Sequence, residues 1–212
     1  MEIFEELADE VQKGNSDSVE VLTKKALSQD ISAEHILNSG LIAGMNIVSE
    51  KFKNNEIFIP EVLISAKSMY SGLGILKPLL AESNVKSRGK VVIGTVRGDL
   101  HDIGKNIVAM LLQGAGFDII DLGADVPLER FLEFVKKEGA DILGISALLT
   151  TTMIGMKETI EMLKNAGLRE NVKVIIGGAP VTESYAAQIK ADGYAPDAAS
   201  AVDLVKKLLG ET

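Results

Sequence analysis

The stretch KVVIGTVRGDLHDIGKN, residues 90–106, decides the fold class. Lys90 to Gly94 form a short β-branched run, Ile103 to Asn106 open a pattern of helical period, and a long polar loop joins them. Strand, loop and helix in that order are the first part of a βαβ crossover, and the same grammar recurs downstream. FDIIDLG (117–123), ADILGIS (140–146), VKVIIGG (172–178) and DGYAPDA (192–198) are further β-rich runs with helical stretches between them. Their near-continuous apolar character is that of strands buried on both faces. The pattern predicts an α/β domain over residues 90–212: a doubly wound, five-stranded parallel sheet, flavodoxin-like, in the simplest strand order 2-1-3-4-5.

Upstream of this domain the period is helical throughout. Residues 2–13 form a first helix closed by Gly14-Asn15, and Ser16 or Asp17 caps a second that runs to about Ser28. A third follows the Ser32-x-x-His35 entry and continues to Phe52, broken at Asn54-Asn55. The fourth carries Pro60 in its first turn and runs toward Leu80. Short connections predict an antiparallel four-helix bundle over residues 1–85. A polar stretch over 83–89 marks the boundary between the two domains.

Composition narrows the function. Of 212 residues, 46% are hydrophobic, enough for a sizeable core and too many for disorder. The net charge of −8 argues against a nucleic-acid or anionic-membrane partner. Each half contributes −4, from 13 acidic and 9 basic residues before position 90 and 17 and 13 from there on. Neither half therefore looks like a basic recognition module. With no cysteine, thiolate metal sites, disulfides and cysteine nucleophiles are excluded, and with only His35 and His101 no three-histidine metal site is available. Any metal has to arrive with most of its own ligands, as part of a prosthetic group. No long uncharged apolar run occurs and the acidic start is unlike a signal peptide, so a cytoplasmic location is expected.

In an open parallel sheet, ligands bind outside the carboxyl ends of the strands where strand order reverses. The loop after the first strand lacks both G-x-G-x-x-G and the GK[ST] ending of a phosphate loop. It holds His101 flanked by Asp99 and Asp102, and a carboxylate beside an imidazole fixes its tautomer and tunes its basicity, as in the support of a metal ligand. The third strand ends in Ser146, followed by Thr150, Thr151 and Thr152, one of which is expected to cap the next helix. The fourth ends in Gly177-Gly178.

Asp99-x-His101-x-x-Gly104, then Ser146-x-Leu148, then 28 residues, then Gly177-Gly178 resembles the cobalamin-binding signature of methionine synthase and of corrinoid methyl-carrier proteins. The helical half resembles that family's cap, so the likeness covers nearly the whole chain. It implies a cobalamin or related corrinoid bound base-off and His-on, with His101 as the lower axial ligand of cobalt. The displaced nucleotide tail would lie in a slot along the sheet, cleared by Gly104, Gly177 and Gly178, which lack a Cβ. Ser146 corresponds to the hydroxyl that meets the displaced base, Leu148 to an apolar neighbour and Thr150 to a hydroxyl beneath the corrin. Thr152 stands where methionine synthase has serine, which leaves a relay of His101, Asp99 and Thr152. Gly98, Asp102 and Ile103 complete the first-loop contacts, and Tyr194 in the fifth-strand segment is a further one. Phe52 and Ile59 correspond to the apolar residues that shield the upper face of the corrin.

The resemblance implies a carrier without turnover of its own. It would take a methyl group from a substrate:corrinoid methyltransferase and pass it to a second methyltransferase acting on tetrahydrofolate or a thiol, with a reductive activator protein as a third partner. A cobalamin-responsive regulator or a mutase-associated binding subunit is the alternative.

Overall fold

The computed structural model describes residues 2–82 and 87–210. Residues 83–86, the first four of the expected linker, lie outside the described residues. Two compact units result, one of Met1–Ser87 with Gly114–Gly116, the other of Arg88–Gln113 with Phe117–Thr212.

In the first unit, α1 (Glu2–Gln12) and α2 (Ser16–Ser28) meet at a tight turn. Gly14 takes φ +72 there, and Asn15, rather than Ser16 or Asp17, is the cap, its side chain accepting from Ser18 N. The cap lies one residue earlier than expected because Asn15 has the non-helical backbone a cap needs, while Ser16 is already helical. The expected third helix is interrupted. It consists of α3 (Ala33–Ile36), a π-helical segment (Leu37–Ile42) and α4 (Ala43–Lys53). The widened turn sits where α1 packs closest, since a Cβ on Gly40 would stand 2.5 Å from Leu7 Cδ2. Ser32 caps α3 by accepting from His35 N, and the His35 ring stacks on Phe4 at 4.7 Å.

Helix α5 (Ile59–Glu82) runs the length of the bundle. Its Ser65, Ser68 and Ser71 are spaced by three and so share one face. The Ser65 hydroxyl donates to Gln12 O at 3.0 Å, while Ser68 and Ser71 share their protons between the carbonyls of Ser65 and Ser68 in their own helix, at 2.8 and 2.7 Å, and Val11 O and Ser16 O at 3.1 and 3.2 Å. Leu7, Val11, Val19, Ile36, Leu41, Met45, Met69 and Leu76 are buried among these helices. No described helix is long and apolar enough to cross a membrane.

The second unit is a parallel sheet in the order β2-β1-β3-β4-β5, as the alternation predicted. Its strands are β1 (Lys90–Thr95), β2 (Asp118–Asp121), β3 (Ile142–Ser146), β4 (Lys173–Gly177) and β5 (Gly193–Tyr194). Between and after them come α6 (Ile103–Gly114), α7 (Leu128–Glu138), α8 (Ile154–Asn165), α9 (Glu183–Ile189) and α10 (Ala198–Leu208). Val92, Leu143, Ile145, Val174 and Ile176 join Phe131, Met156, Ile160, Leu163 and Ile189 in one cluster. Val91, Ile142 and Ile175 are buried as well, so the strands are apolar on both faces. The fifth strand is two residues long where seven were expected, because only Gly193 and Tyr194 pair with β4 before Asp197 caps α10. Register places Thr95 opposite Ser146, and Ser146 opposite Gly177, so the carboxyl ends of β1, β3 and β4 finish level.

Candidate functional site

Level strand ends bring the loops after β1 and β3 together at the point where strand order reverses. The β1 loop begins with a turn, Asp99 N donating to Val96 O at 3.1 Å, in which Gly98 takes φ +81. Such a φ suits glycine, since a Cβ would be strained there. The turn delivers the Asp99 side chain, fully buried, to the start of the β3 loop.

There the carboxylate has five donors. Oδ1 accepts from His101 N at 3.0 Å and pairs with His101 Nδ1 at 2.7 Å. Oδ2 accepts from Leu148 N and Leu149 N at 2.7 and 3.1 Å and lies 2.8 Å from Thr152 Oγ1. Burial pushes the Asp99 carboxyl up, but the donors of Leu148, His101 and Thr152 outweigh it and hold it well below the usual carboxylate range. An ionised carboxylate only accepts, so in the neutral ring the Nδ1 of His101 carries the proton and Nε2 carries the lone pair. The ring is half exposed and Nε2 bonds to no described residue.

The same two loops and the helix starts after them carry exposed apolar side chains. Leu100 and Ile103 on the His101 loop are 75% and 72% exposed, and Leu148, Leu149 and Ile154 on the β3 side are 43%, 41% and 53% exposed. Gly104 adds open space, with nothing within 4 Å of where its Cβ would be. A broad apolar ligand with one vacancy for a nitrogen donor matches this set: a ring lone pair and exposed apolar side chains on the same loops.

The structure distributes the remaining expected residues as follows. Asp102 opens α6, its carbonyl accepting from Asn106 N, and Asp99 alone reaches the imidazole. Ser146 is the last residue of β3 and accepts from Val96 N through its carbonyl, while Thr150 is exposed. No threonine side chain caps α8. The cap position is Met153, without a side-chain hydrogen bond, because Thr152 Oγ1 is drawn to Asp99 Oδ2 and Leu149 O. Gly177 approaches Ala195 O, and Gly178, at φ +123, lies so close to Ala147 that a Cβ would stand 1.9 Å from its carbonyl oxygen. The chain itself thus requires glycine at 178. Tyr194 pairs with Ile176 and packs against the sheet's apolar cluster. Phe52 lies in the last turn of α4, half-buried, and Ile59 opens α5, 40% exposed.

Three residues the sequence alone did not single out also bear on the loop. Thr95 is buried and its hydroxyl donates to His101 O at 3.3 Å. Lys105 is buried although charged, and its Nζ bonds both oxygens of Asp121 and the Asn106 side chain. Asp125 bonds the Gly98 turn from the loop after β2.

A B12 binding domain model matches residues 89–203, more than half of the chain, and a second B12 binding domain model matches residues 3–77. The chain belongs to the B12-binding family. Among relatives of this B12-binding protein is a corrinoid protein of Desulfitobacterium hafniense strain Y51, 44% identical over 214 residues, covering 100% of this chain and 99% of that one. Dimethylamine corrinoid protein 1 of Methanosarcina acetivorans is 46% identical over 209 residues, 98% of each chain. The structure is similar to a chain of the methanol:cobalamin methyltransferase complex from Methanosarcina barkeri, with a TM-score of 0.89 and 33% identity. That likeness covers 100% of this chain and 81% of the other.

Proposed function

We propose that this B12-binding protein is a corrinoid methyl carrier. It takes a methyl group from a substrate-specific methyltransferase and presents it to a second methyltransferase acting on tetrahydrofolate or a thiol, and a reductive activator protein restores it after accidental oxidation. The observation that carries this reading is the half-exposed His101 ring, fixed through Nδ1 by a buried carboxylate, on a loop that also carries the exposed Leu100 and Ile103. A bound corrinoid supplies a cobalt that accepts and releases the methyl group.

The chain's own residues do the rest. His101 would hold the corrinoid's metal through Nε2. Asp99 fixes the tautomer and the ring plane, and Thr152 helps to fix Asp99. Leu100, Ile103, Leu148 and Leu149 give the ring system an apolar bed that excludes water, and the open space at Gly104 admits the displaced tail. Ser146, Thr150, Gly177 and Tyr194 line that path. Corrinoid relatives of this length, and a structural relative that is a methyltransferase complex, support a carrier that works with a separate methyltransferase.

The test is ligation. Purified protein mixed with hydroxocobalamin and reduced to Co(II) is expected to bind one equivalent and to show histidine nitrogen coupling by electron paramagnetic resonance. His101→Ala is expected to keep much of the affinity and lose the coupling. Benzimidazole coupling in the wild type would overturn the His-on reading.

A further inference from the structure

We propose that Asp125, on the loop after β2, is the positioning residue that holds the His101 loop in the shape that presents Nε2. Asp99 is gripped from one side by the β3 loop, yet its carboxylate is only as well placed as the turn it grows from. That turn is gripped from elsewhere. Asp125 N donates to Asp99 O at 3.0 Å, and Asp125 Oδ1 accepts from Gly98 N at 2.7 Å. The two bonds straddle the Gly98–Asp99 peptide, one on the nitrogen that enters it and one on the carbonyl that leaves it. One residue, 27 positions away from Gly98, thereby fixes both ends of the unit that carries the Asp99 side chain.

Backbone conformation makes this possible. Asp125 takes φ +52, in the left-handed region, which aspartate tolerates better than most residues and which turns its N–H and its own carboxylate toward the same turn. The conformation is held on both sides: Thr95 N donates to Gly123 O at 2.9 Å and Val126 N to Thr95 O at 3.0 Å. Strain of this kind persists only where the surroundings over-determine it. The geometry makes His101 the end of a chain: Asp125 sets the Gly98–Asp99 peptide, Asp99 sets Nδ1, and Nδ1 sets the direction of Nε2. A metal ligand needs placement within about 0.5 Å, so slack at the turn is passed on to the nitrogen.

The role toward cobalt rests on the proposed ligation by His101, and the experiment separates the two. Three variants divide the parts: Asp125→Gly keeps the φ and loses the carboxylate, Asp125→Asn keeps both the φ and an Oδ1 acceptor, and Asp125→Ala loses both. In cofactor-free protein, amide hydrogen exchange over residues 97–101 is expected to be about tenfold faster in the Gly and Ala variants and near wild type in Asn. With Co(II) corrinoid bound, the histidine-coupled fraction of the paramagnetic signal is expected to fall in Gly and Ala and to be rescued in Asn. Circular dichroism confirms that the variants compared are folded, and if Ala does not fold, Gly against Asn decides. Unchanged exchange together with full histidine coupling in Asp125→Gly would overturn the proposal. A wild type without histidine coupling, whose exchange still responds as expected, would sink the ligation reading while the hold of Asp125 on the loop stands.

Discussion

The two units arrange their polar side chains differently. In the helical unit they lie in a row, Ser65, Ser68 and Ser71 on α5 each within hydrogen-bond distance of a carbonyl of α1 or α2. In the sheet unit the central one is an acceptor, Asp99, which gathers donors from His101, Leu148, Leu149 and Thr152. Exposed apolar residues differ in the same sense. Those of the bundle, Val21, Ile47, Phe58 and Leu63 among them, are spread over α2, α4, α5 and the turn before α5. All five of the sheet unit, Leu100, Ile103, Leu148, Leu149 and Ile154, lie on the β1 and β3 loops or the helix starts that follow them. A parallel sheet sends every strand's carboxyl end to one side, so residues far apart in sequence converge there. A bundle spreads such residues along its helices, and its shared polar bonds serve stability alone.

If that contrast is right, removing the hub must cost far more than removing a tooth of the comb. Asp99→Ala deprives five donors of their acceptor and is expected to lower stability by about 3 kcal/mol in urea denaturation. The loss has a pH signature. Because the Asp99 carboxyl is held low in the fold and ionises near 3.9 in the unfolded chain, its contribution is complete above about 3.9 and is lost progressively as pH falls from there toward the lower folded value. The gap between wild type and Asp99→Asn is therefore expected to be constant from about pH 7 to 5 and to narrow below about pH 4. A gap that widens in acid would refute the hub.

Gly178→Ala tests whether the β3–β4 junction is closed by the chain itself. With φ +123 and a carbonyl where the Cβ would go, the variant is expected to lose about 2–3 kcal/mol, read as a fall in the thermal midpoint. Ser68→Ala on the bundle side is expected to cost about 1 kcal/mol, the net worth of one hydrogen bond. A loss as large as that of Asp99→Ala would erase the contrast between the units.

Gly104→Ala has the smallest expected effect on the free protein, and its sign is opposite. Nothing lies within 4 Å of the added methyl and the site is helical, so the variant is expected to gain up to about 1 kcal/mol in stability. If the open space admits the cofactor's tail, the same variant weakens hydroxocobalamin binding in a spectroscopic titration. Undiminished affinity would place the tail elsewhere.

How far the sequence reaches can be seen in particular residues. Alternation of apolar runs with helical stretches was enough for the five strands and their order. The loop sequence offered two carboxylates beside His101, and the folded turn decided for Asp99 over Asp102. Four helices were readable at 3.6-residue period, but the π turn at Leu37–Ile42 was not, since it answers to the approach of Leu7 from another helix. A hydroxyl after β3 reads as a helix cap by local propensity, and Thr152 bonds Asp99 instead because a better acceptor arrives from another strand.

By itself, then, the sequence determined what is periodic or adjacent: the two kinds of domain, the strand order, the loop that carries His101 and the two carboxylates beside it. Tertiary structure alone decided that Leu148 and Leu149 lend Asp99 their backbone N–H groups, that Lys105 is buried against Asp121, and that Asp125 clamps the Gly98 turn. The physical reason is that backbone donors carry no residue-type signature of their own. Their partners are chosen by strands that lie side by side in space, and that neighbourhood exists only once the sheet has formed.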